Sequence, residues 1–567
     1  MNDIRRTLLW VVFSMSLVLL WDGWNRHNGK PSFFFPSPAS QTAAVVAKPA
    51  SLPAPAAPNA VPAPSAKPGV AAAPSGAPPV AATAAPAEKV TITTDLLKVT
   101  FNATGGDPVR VELLRQRDQN HPDQNVVLFD QSAQRIYMAQ TGLIAGAGGA
   151  PLPTHLSAMQ WVEGERTLKD GSEALTVSFA SPDIGGAKLV KTYTFKRDSY
   201  VVGVRFEVVN VSAAAIAPQL YLQLVRDGNA PEGESSFYFT FTGPAIYDEA
   251  AKFHKIDFKT IEKRGANEKP DHETHADNGW VGMVQHYFAS AWLLPDKLPR
   301  EYFTRKVDTN LYSVGMLVPL GEIAAGASKT LDTRLFIGPQ EENKLSALTP
   351  GLELVKDYGW FTILAKPLFW LLTQLYGILG NWGWAIVALV VLLKIAFYGL
   401  NASAYRSMAK MKAINPKVME LRERLKDKPQ QMQQEMMRIY REEKVNPLGG
   451  CLPIFAQMPF FIALYWVLLS SVEMRNAPWI LWIHDLSAKD PYFILPLLMT
   501  ATSLFQTWLN PTPPDPVQAK MMWIMPLAFS VMFFFFPAGL VLYWLTNNIL
   551  SIAQQYFINK RLGVIGK

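Results

Sequence analysis

The sequence has little cysteine and little charge. Cys451 is its single cysteine, so an internal disulfide framework and a metal or redox site of the C-x-x-C type are excluded. Charged residues make up 17% of the 567 positions, while apolar residues make up 49%. Soluble domains typically carry about 25% charged residues. This composition, together with long uncharged runs, excludes an ordinary cytosolic enzyme.

Other chemical signatures are missing as well. The sequence has no phosphate-binding loop, and its long uncharged runs have no Asp or Glu to relay protons. The same runs lack the Ser/His pair, the paired Asp residues and the H-E-x-x-H motif of intramembrane proteases. His272 and His275 lie close together but without metalloprotease spacing. We therefore expect no catalytic residue, no metal site and no cofactor.

Five uncharged runs approach or exceed the roughly 20 apolar residues that a helix needs to cross a bilayer. The run after Arg5 and Arg6 predicts an uncleaved anchor, with a cleaved signal peptide as the alternative. The longest run, Met521–Asn559, has room for two helices joined near Pro537. Six transmembrane helices are therefore predicted, at residues 1–24, 377–400, 448–472, 491–509, 520–536 and 538–557.

Lys and Arg residues in the loops predict the orientation of these helices. Residues 399–447 contain eleven of them, and basic loops of this kind stay in the cytoplasm. A topology with both termini in the cytoplasm puts this loop and the basic tail at 558–567 on one side of the membrane. The chain between the first two predicted helices is then exported.

The exported part divides into three predicted segments. Residues 25–88 form a Pro/Ala-rich linker, because such a composition buries no apolar surface. From 89 to 350, alternating β-branched and aromatic residues, as in Ala187–Phe195 and Tyr200–Val209, predict a β-sandwich. Residues 351–376 predict an amphipathic helix along the outer interface, with a further membrane span as the alternative.

Residues 401–447 predict a cytoplasmic hairpin of two amphipathic helices, at 403–426 and 430–444. Methionine suits adaptable apolar contacts, so four residues of the hairpin are candidate contact residues: Met408, Met411, Met432 and Met436. A hairpin that buries its own seam is the alternative. Eleven cations and six acids give residues 399–447 a net charge of +5, which fits anionic lipid or RNA and also fits the orientation rule alone.

Lys394 lies inside the predicted helix 377–400, where an ionisable side chain costs between about 2.5 and 17 kcal/mol. The other clustered runs offer no carboxylate to pair with it, but they contain neutral polar side chains: Gln457, Asn547, Asn548, Ser551, Gln554 and Gln555. One alternative is that the Lys394 side chain extends to the headgroups of the inner leaflet. Another is that the neutral polar side chains form hydrogen bonds between neighbouring helices. A lysine without a carboxylate partner, together with several neutral polar side chains, favours a water-filled groove open to the cytosol.

Several motifs closely resemble those of the YidC-type membrane protein insertases of Gram-negative bacteria. In this sequence they are Lys444–Pro453, Gln457–Pro459, Trp482–Ser487, Phe536–Tyr543, Gly279–Phe288 and Asp357–Trp360. The resemblance implies a five-helix membrane core with a cationic groove, and a periplasmic all-β supersandwich domain. Residues that match the family's groove directly are Gln457, Met458 and Pro459. The family's groove arginine falls on Lys394, a polar position on Val390, and a groove tyrosine on Trp544.

The resemblance also implies a function, namely insertion and folding of nascent membrane proteins in the bacterial inner membrane. Insertion would proceed alone or with the Sec translocon, with membrane lipids and a weak ribosome contact as further partners and no role for DNA. The methionines of the hairpin would receive the client, and three residues of the tail would contact the ribosome or lipid: Lys560, Arg561 and Lys567. The client's acidic flank would be held by Lys394 and the neutral polar side chains.

No enzymatic step is implied by the resemblance. Two other classes of protein also fit the residues. One is a small-solute transporter, which would usually show an internal repeat of spans. The other is a carbohydrate-binding or carbohydrate-active periplasmic protein with a membrane tether.

Overall fold

The structure is a computed structural model that describes residues 88–145, 149–231, 240–265, 268–425, 428–443, 452–510 and 516–561. The predicted anchor at 1–24 and all but the last residue of the linker at 25–88 lie outside these residues. The described chain consists of a β-domain followed by a helical region.

The β-domain is built from strands whose side chains alternate between the interior and the surface. In β8 (Ala187–Lys196), every second residue is buried, and the strand pairs in antiparallel register with β9 (Val201–Asn210), with Leu189 opposite Val208 and Tyr193 opposite Val204. Alternation of this kind buries one face of a sheet and leaves the other polar. The β-branched and aromatic pattern of the sequence therefore folds as predicted.

The remaining strands complete two sheets. They are β1 (Lys89–Thr93), β2 (Leu97–Asn102), β3 (Asp107–Arg117), β4 (Asn125–Gln131), β5 (Ile136–Ile144), β6 (Gln160–Val162), β7 (Ala174–Ala180), β10 (Gln219–Asp227), β11 (Gly243–Asp248), β12 (Lys252–Lys255), β13 (His275–Ala276), β14 (Trp280–Val284), β15 (Phe288–Leu293), β16 (Arg300–Asp308), β17 (Leu311–Pro319) and β18 (Ser328–Pro339).

Each sheet has nine of the described strands. The first has the order β1-β2-β3-β4-β5-β10-β17-β16-β13, and the second has the order β12-β11-β14-β15-β18-β9-β8-β7-β6. The two sheets enclose one continuous core, whose largest side chains include Trp280, Trp292, Phe101 and Phe179. A sandwich of two antiparallel sheets confirms the predicted all-β class of this domain.

Ten helices are described. They are α1 (Phe258–Lys263), α2 (Glu342–Leu348), α3 (Thr362–Leu379), α4 (Trp382–Ala396), α5 (Tyr398–Arg424), α6 (Pro429–Glu442), α7 (Leu452–Ser470), α8 (Ile494–Leu509), α9 (Pro516–Phe533) and α10 (Ala538–Arg561). Single 3₁₀ turns occur at Leu352–Val355, Gly359–Phe361 and Val472–Met474. In the helical region, α10 packs against α4 and α8, α3 packs against α4 and α7, and α9 packs along α8.

The helix break between the predicted interfacial segment, 351–376, and the predicted second span, 377–400, lies a few residues after that division. Helix α3 continues to Leu379, and the break lies at Gly380 and Asn381. Gly380 ends α3 with a left-handed conformation, φ 64°, and the Asn381 side chain accepts a hydrogen bond from the Trp384 amide at the start of α4. Glycine after a helix and asparagine before the next are the residues that favour such a break.

Among the described residues, α3 is by itself long and apolar enough to cross a membrane. Helices α4 and α5 meet that test together, across a bend of 68°, while parts of α7, α8 and α9 form shorter apolar helices. The predicted number of six spans is not decided by these lengths and stays a prediction.

Candidate functional site

A small cavity lies between α4, α7 and α10, next to Lys394. Three polar side chains line it, Lys394, Gln457 and Asn547, and six apolar or aromatic residues complete its wall: Val390, Leu393, Phe397, Phe460, Phe461 and Tyr543. Its volume is about 20 Å³, enough for one water molecule. Three of the residues that the sequence predicts to share a polar groove therefore share one cavity.

Lys394 is held at this cavity by α10. It lies in the last turn of α4, and its Nζ donates a hydrogen bond to Ser551 Oγ at 2.7 Å. Ser551 in turn donates to the backbone carbonyl of Asn547, one turn earlier in α10, also at 2.7 Å. The Tyr405 side chain of α5 bonds to the same hydroxyl. The hydrogen bond from Lys394 to Ser551 thus joins α4 to α10, and its acceptor is a neutral hydroxyl instead of a carboxylate.

Gln457 connects the cavity to the predicted cytoplasmic hairpin. Its Nε2 donates to Asn401 Oδ1 at 2.8 Å, and both side chains are buried. Asn401 lies in the first turn of α5, and its own Nδ2 has no partner among the described residues. Sequence reasoning missed Asn401 and Tyr405, because both lie beyond the predicted end of the second span and read as loop residues.

The neutral polar side chains of α10 are divided between two neighbouring helices, α4 and α8. Asn547 lines the cavity and Ser551 bonds to Lys394, whereas Asn548 donates to Ser503 Oγ of α8 at 2.9 Å. Gln555 also bonds on that side, to Asn510 at 3.0 Å. Asn548 is therefore placed in a helix–helix contact rather than beside Lys394.

Two further groove candidates also lie outside the cavity wall. Met458 is 44% exposed on α7, and Pro459 is half-buried beside it. Trp544 packs in an aromatic group, with ring centroids 5.7 Å from Phe533 and 6.3 Å from Phe461. The Trp544 indole N–H is buried and has no partner among the described residues.

The hairpin and tail candidates are partly exposed. Four methionines are half-buried in α5 and α6: Met408, Met411, Met432 and Met436. An exposed ion pair of 2.7 Å between Lys417 and Glu443 links α5 to the end of α6. Lys560 and Arg561 are exposed at the end of α10, and Lys567 lies outside the described residues.

A second cavity, of about 380 Å³, lies on the β-domain at the ends of β13, β16 and β17. It is lined by His275, Glu301 and Arg300, among others. The Arg300 guanidinium donates to four backbone carbonyls, including that of Gly279 at 2.7 Å, so this arginine braces the surrounding loops. In the described part of the chain, no group of three or more metal-ligating side chains occurs.

A two-sheet β-sandwich that leads into apolar helices, with a lysine held inside the helical region, is typical of a membrane protein that carries an all-β domain. Comparisons with known proteins narrow this class. The family model described as YidC periplasmic domain matches residues 89–371, and the model described as 60Kd inner membrane protein matches residues 374–564.

Curated relatives agree with the family models. The membrane protein insertase YidC of Cupriavidus necator is 55% identical over 561 residues, which cover 99% of this chain and 98% of the relative. That of Cupriavidus taiwanensis is 56% identical over 564 residues, with the same shares covered. A solved structure of an active YidC insertase covers 83% of this chain and 92% of its own, at 18% identity and a TM-score of 0.39.

The chain therefore belongs to the YidC family of membrane protein insertases. It is an inner membrane protein with a periplasmic domain, and the family acts as an insertase and not as an enzyme. The predicted resemblance and the predicted function as a membrane protein insertase are confirmed. The transporter and the tethered carbohydrate-binding protein are set aside by identity along nearly the whole chain.

Proposed function

We propose that this insertase gives the polar flank of a nascent membrane protein a solvated site beside Lys394. Meanwhile the client's apolar segment passes Met458 and Pro459 into lipid. The observation that carries the proposal is the environment of Lys394 Nζ. It borders a water-sized cavity and bonds to a neutral hydroxyl, and no described carboxylate forms an ion pair with it.

The energetic role of such a site is to lower the barrier for the flank. Moving a charged side chain through dry hydrocarbon costs several kcal/mol or more, and a cation with water close by shortens the dry path. The lysine charge attracts an acidic flank, and the membrane potential adds about 2.3 kcal/mol per negative charge for each 100 mV. Partitioning of the apolar segment into lipid drives the step, so no covalent chemistry is needed.

The hairpin is proposed to receive the client before it reaches this site. Half-buried methionines on α5 and α6 offer flexible apolar contact, and Met437 adds a side chain that is 47% exposed. The bond between Gln457 and Asn401 joins the start of α5 to the cavity wall. A client held by the hairpin would therefore be delivered next to Lys394.

The topology and the other partners are part of the proposal. We place both termini in the cytoplasm and count six spans, the second of which begins after the helix break at Gly380 and Asn381. The Sec translocon and the ribosome are proposed partners. Exposed cations at the end of α10, Lys560 and Arg561, support a weak contact with ribosomal RNA or anionic lipid. Binding that weakens as salt is raised would support that contact.

The decisive experiment compares clients in proteoliposomes. Lys394→Ala should slow insertion of a single-span client with an acidic periplasmic flank by roughly thirtyfold, since two opposite charges 8 Å apart interact by about 2 kcal/mol at an effective dielectric constant of 20. A client with a neutral flank should be affected much less. Lys394→Arg keeps the charge and should retain insertion.

Lys520→Ala is the matched control, because Lys520 is exposed near the start of α9 and outside the cavity. It should leave insertion of both clients unchanged. An acidic-flank client that Lys394→Ala inserts at the wild-type rate would defeat the electrostatic role of Lys394.

A further inference from the structure

The outer end of α7 is attached to the β-domain and to the segment 351–361 that follows it. His286, in the turn between β14 and β15, donates from Nε2 to the Leu469 carbonyl at 2.9 Å. The Ser470 hydroxyl donates to the Asp357 carbonyl at 2.5 Å. With the ion pair between Lys356 and Glu473, these contacts form what we call the outer clamp: His286, Lys356 and Asp357 on one side, and Leu469, Ser470 and Glu473 on the other.

The ion pair of the outer clamp is fully buried at Lys356 and 18% exposed at the Glu473 side chain. Lys356 Nζ lies 3.1 and 3.0 Å from the two carboxylate oxygens of Glu473, and the lysine side chain is 0% exposed. The same Nζ lies 3.7 Å from the centroid of the Phe369 ring of α3. Burying two charges costs several kcal/mol per ion, so such a pair is weak support for stability, and its best-attested role is to fix one register of the parts it joins.

Neighbouring contacts fit the same geometry. Gly359 adopts φ 62° beneath Trp466 of α7, where an added Cβ would lie 2.9 Å from the indole ring. Arg475 donates to the Arg117 carbonyl at 2.7 Å and lies over the rings of Tyr287 and Phe288. Gly359 allows the segment 351–361 to approach α7, and Arg475 ties the segment after α7 to the β-domain.

The opposite end of α7 carries the residues of the proposed site. Gln457 lies twelve residues before Leu469, roughly 18 Å along the helix. Near the clamp, Leu464, Val467 and Leu468 are buried, whereas at the other end Met458 is 44% exposed. Pro459 interrupts the backbone hydrogen bonding of α7 just after Met458, but the helix continues without a further proline from Phe460 to Ser470, so the position of its outer end influences where its inner end lies.

We infer that the outer clamp is a positioning device by which the β-domain sets the place of Gln457, Met458 and Pro459 relative to Lys394. The inference rests on the proposed function, because it assigns these residues to the client path. The β-domain then serves insertion through the placement of α7.

A double substitution tests the inference in full-length protein. Lys356→Met with Glu473→Leu removes the charges but keeps apolar volume, a change that is often neutral or stabilising for a buried pair. Insertion in proteoliposomes should fall about fivefold, the lower end of typical coupling between sites, while the thermal midpoint is kept. Crosslinking of a client to Met458→Cys, in a Cys451→Ser background and normalised to folded protein, should fall in parallel.

Two further variants provide the controls. The swapped pair, Lys356→Glu with Glu473→Lys, should recover crosslinking at position 458. Arg205→Met with Asp332→Leu removes an ion pair whose side chains are 62% and 65% exposed on the β-domain, and it should change neither readout. Wild-type insertion and crosslinking by the Lys356→Met, Glu473→Leu protein would overturn the inference.

The client series separates this inference from the proposed function. Loss of the outer clamp should slow acidic-flank and neutral-flank clients alike, because it displaces α7. Lys394→Ala should slow the acidic-flank client selectively. If Lys394→Ala inserts both clients at the wild-type rate while the clamp variant inserts them slowly, the proposed role of Lys394 is contradicted and the inference about the outer clamp is not.

Discussion

The two halves of the molecule each hold a lysine in their interior, and they satisfy it in opposite ways. Lys191 of the β-domain has a fully buried side chain, and its Nζ donates to Asp107 at 2.8 Å and to the carbonyls of Gly105 and Thr141 at 2.6 and 3.0 Å. Lys394 of the helical region bonds to the Ser551 hydroxyl and borders a cavity.

The comparison distinguishes a buried lysine that stabilises the fold from a lysine that remains able to bind a ligand. The Lys191 network connects the two sheets, because Lys191 and Tyr193 lie on β8 while Asp107 begins β3. Burial lowers the pKa of Lys191, and Asp107 opposes that shift. A cation with three protein acceptors has no capacity left for a ligand, whereas Lys394, with one neutral acceptor among the described residues, can still bind an anionic group.

Removing the fully buried Lys191 side chain should have the largest effect on stability. Lys191→Ala leaves Asp107 buried without its cation, so we expect the β-domain to lose about 3–5 kcal/mol of its free energy of unfolding. Denaturant titration of the purified protein measures this loss. Lys188→Ala, an exposed lysine on the same strand, is the control and should change little. If the Lys191→Ala protein has wild-type stability, Lys191 does not stabilise the fold and the contrast with Lys394 does not hold.

His286 offers a second test, since burial lowers the pKa of this interior group to about 4. Arg475 lowers that pKa further, while the bond to Leu469 raises it. The folded state binds the proton less readily than the unfolded state, so its stabilisation is complete above about pH 6.5 and is lost as the pH falls from 6.5 to 4. The difference amounts to roughly 3 kcal/mol.

Stability curves of full-length protein over that pH range check this expectation. His286→Gln keeps a group that can donate to the Leu469 carbonyl but cannot titrate, so its stability should depend less on pH in this window. Identical pH profiles for the two proteins would show that His286 contributes no such slope.

A smaller effect is expected from the amide pair beside the cavity. Gln457→Leu leaves Asn401 buried without its hydrogen bond, a change that costs about 1–3 kcal/mol. We expect insertion to slow, because the start of α5 is no longer tied to α7. A double-mutant cycle with Asn401→Ala measures the coupling, and strictly additive effects would refute it. Asn548→Ala, on the α8 side, is the matched control for the loss of an amide hydrogen bond.

Sequence patterns predicted the features that depend on local chemistry. The alternation of β-branched and aromatic residues with polar residues in β8 and β9 predicted strands. The single charge within an apolar run predicted that Lys394 lies at a functional site. Its association with Gln457, Asn547 and Ser551 followed from the scarcity of other polar groups in the same runs. Each of these inferences uses residues that are close in sequence or few in number.

Features that depend on the direction of a side chain could not be predicted in the same way. Neighbouring helical residues point about 100° apart, so Asn547 faces the cavity while Asn548 faces α8. Lys356 and Glu473 are 117 positions apart, and nothing in a single sequence pairs them. Pairing at such distances is set by packing, which a local pattern does not encode.

The central claim is that the neighbourhood of Lys394 is reached by water from the cytosol, and cysteine labelling tests it most directly. In a Cys451→Ser background, Asn547→Cys should react with a membrane-impermeant maleimide added from the cytosolic side, and Lys394→Met should reduce the rate. Ser530→Cys, buried in α9, is the reference for a shielded position. If the cysteine at position 547 is as unreactive as the one at 530, the hydrated site beside Lys394 does not exist.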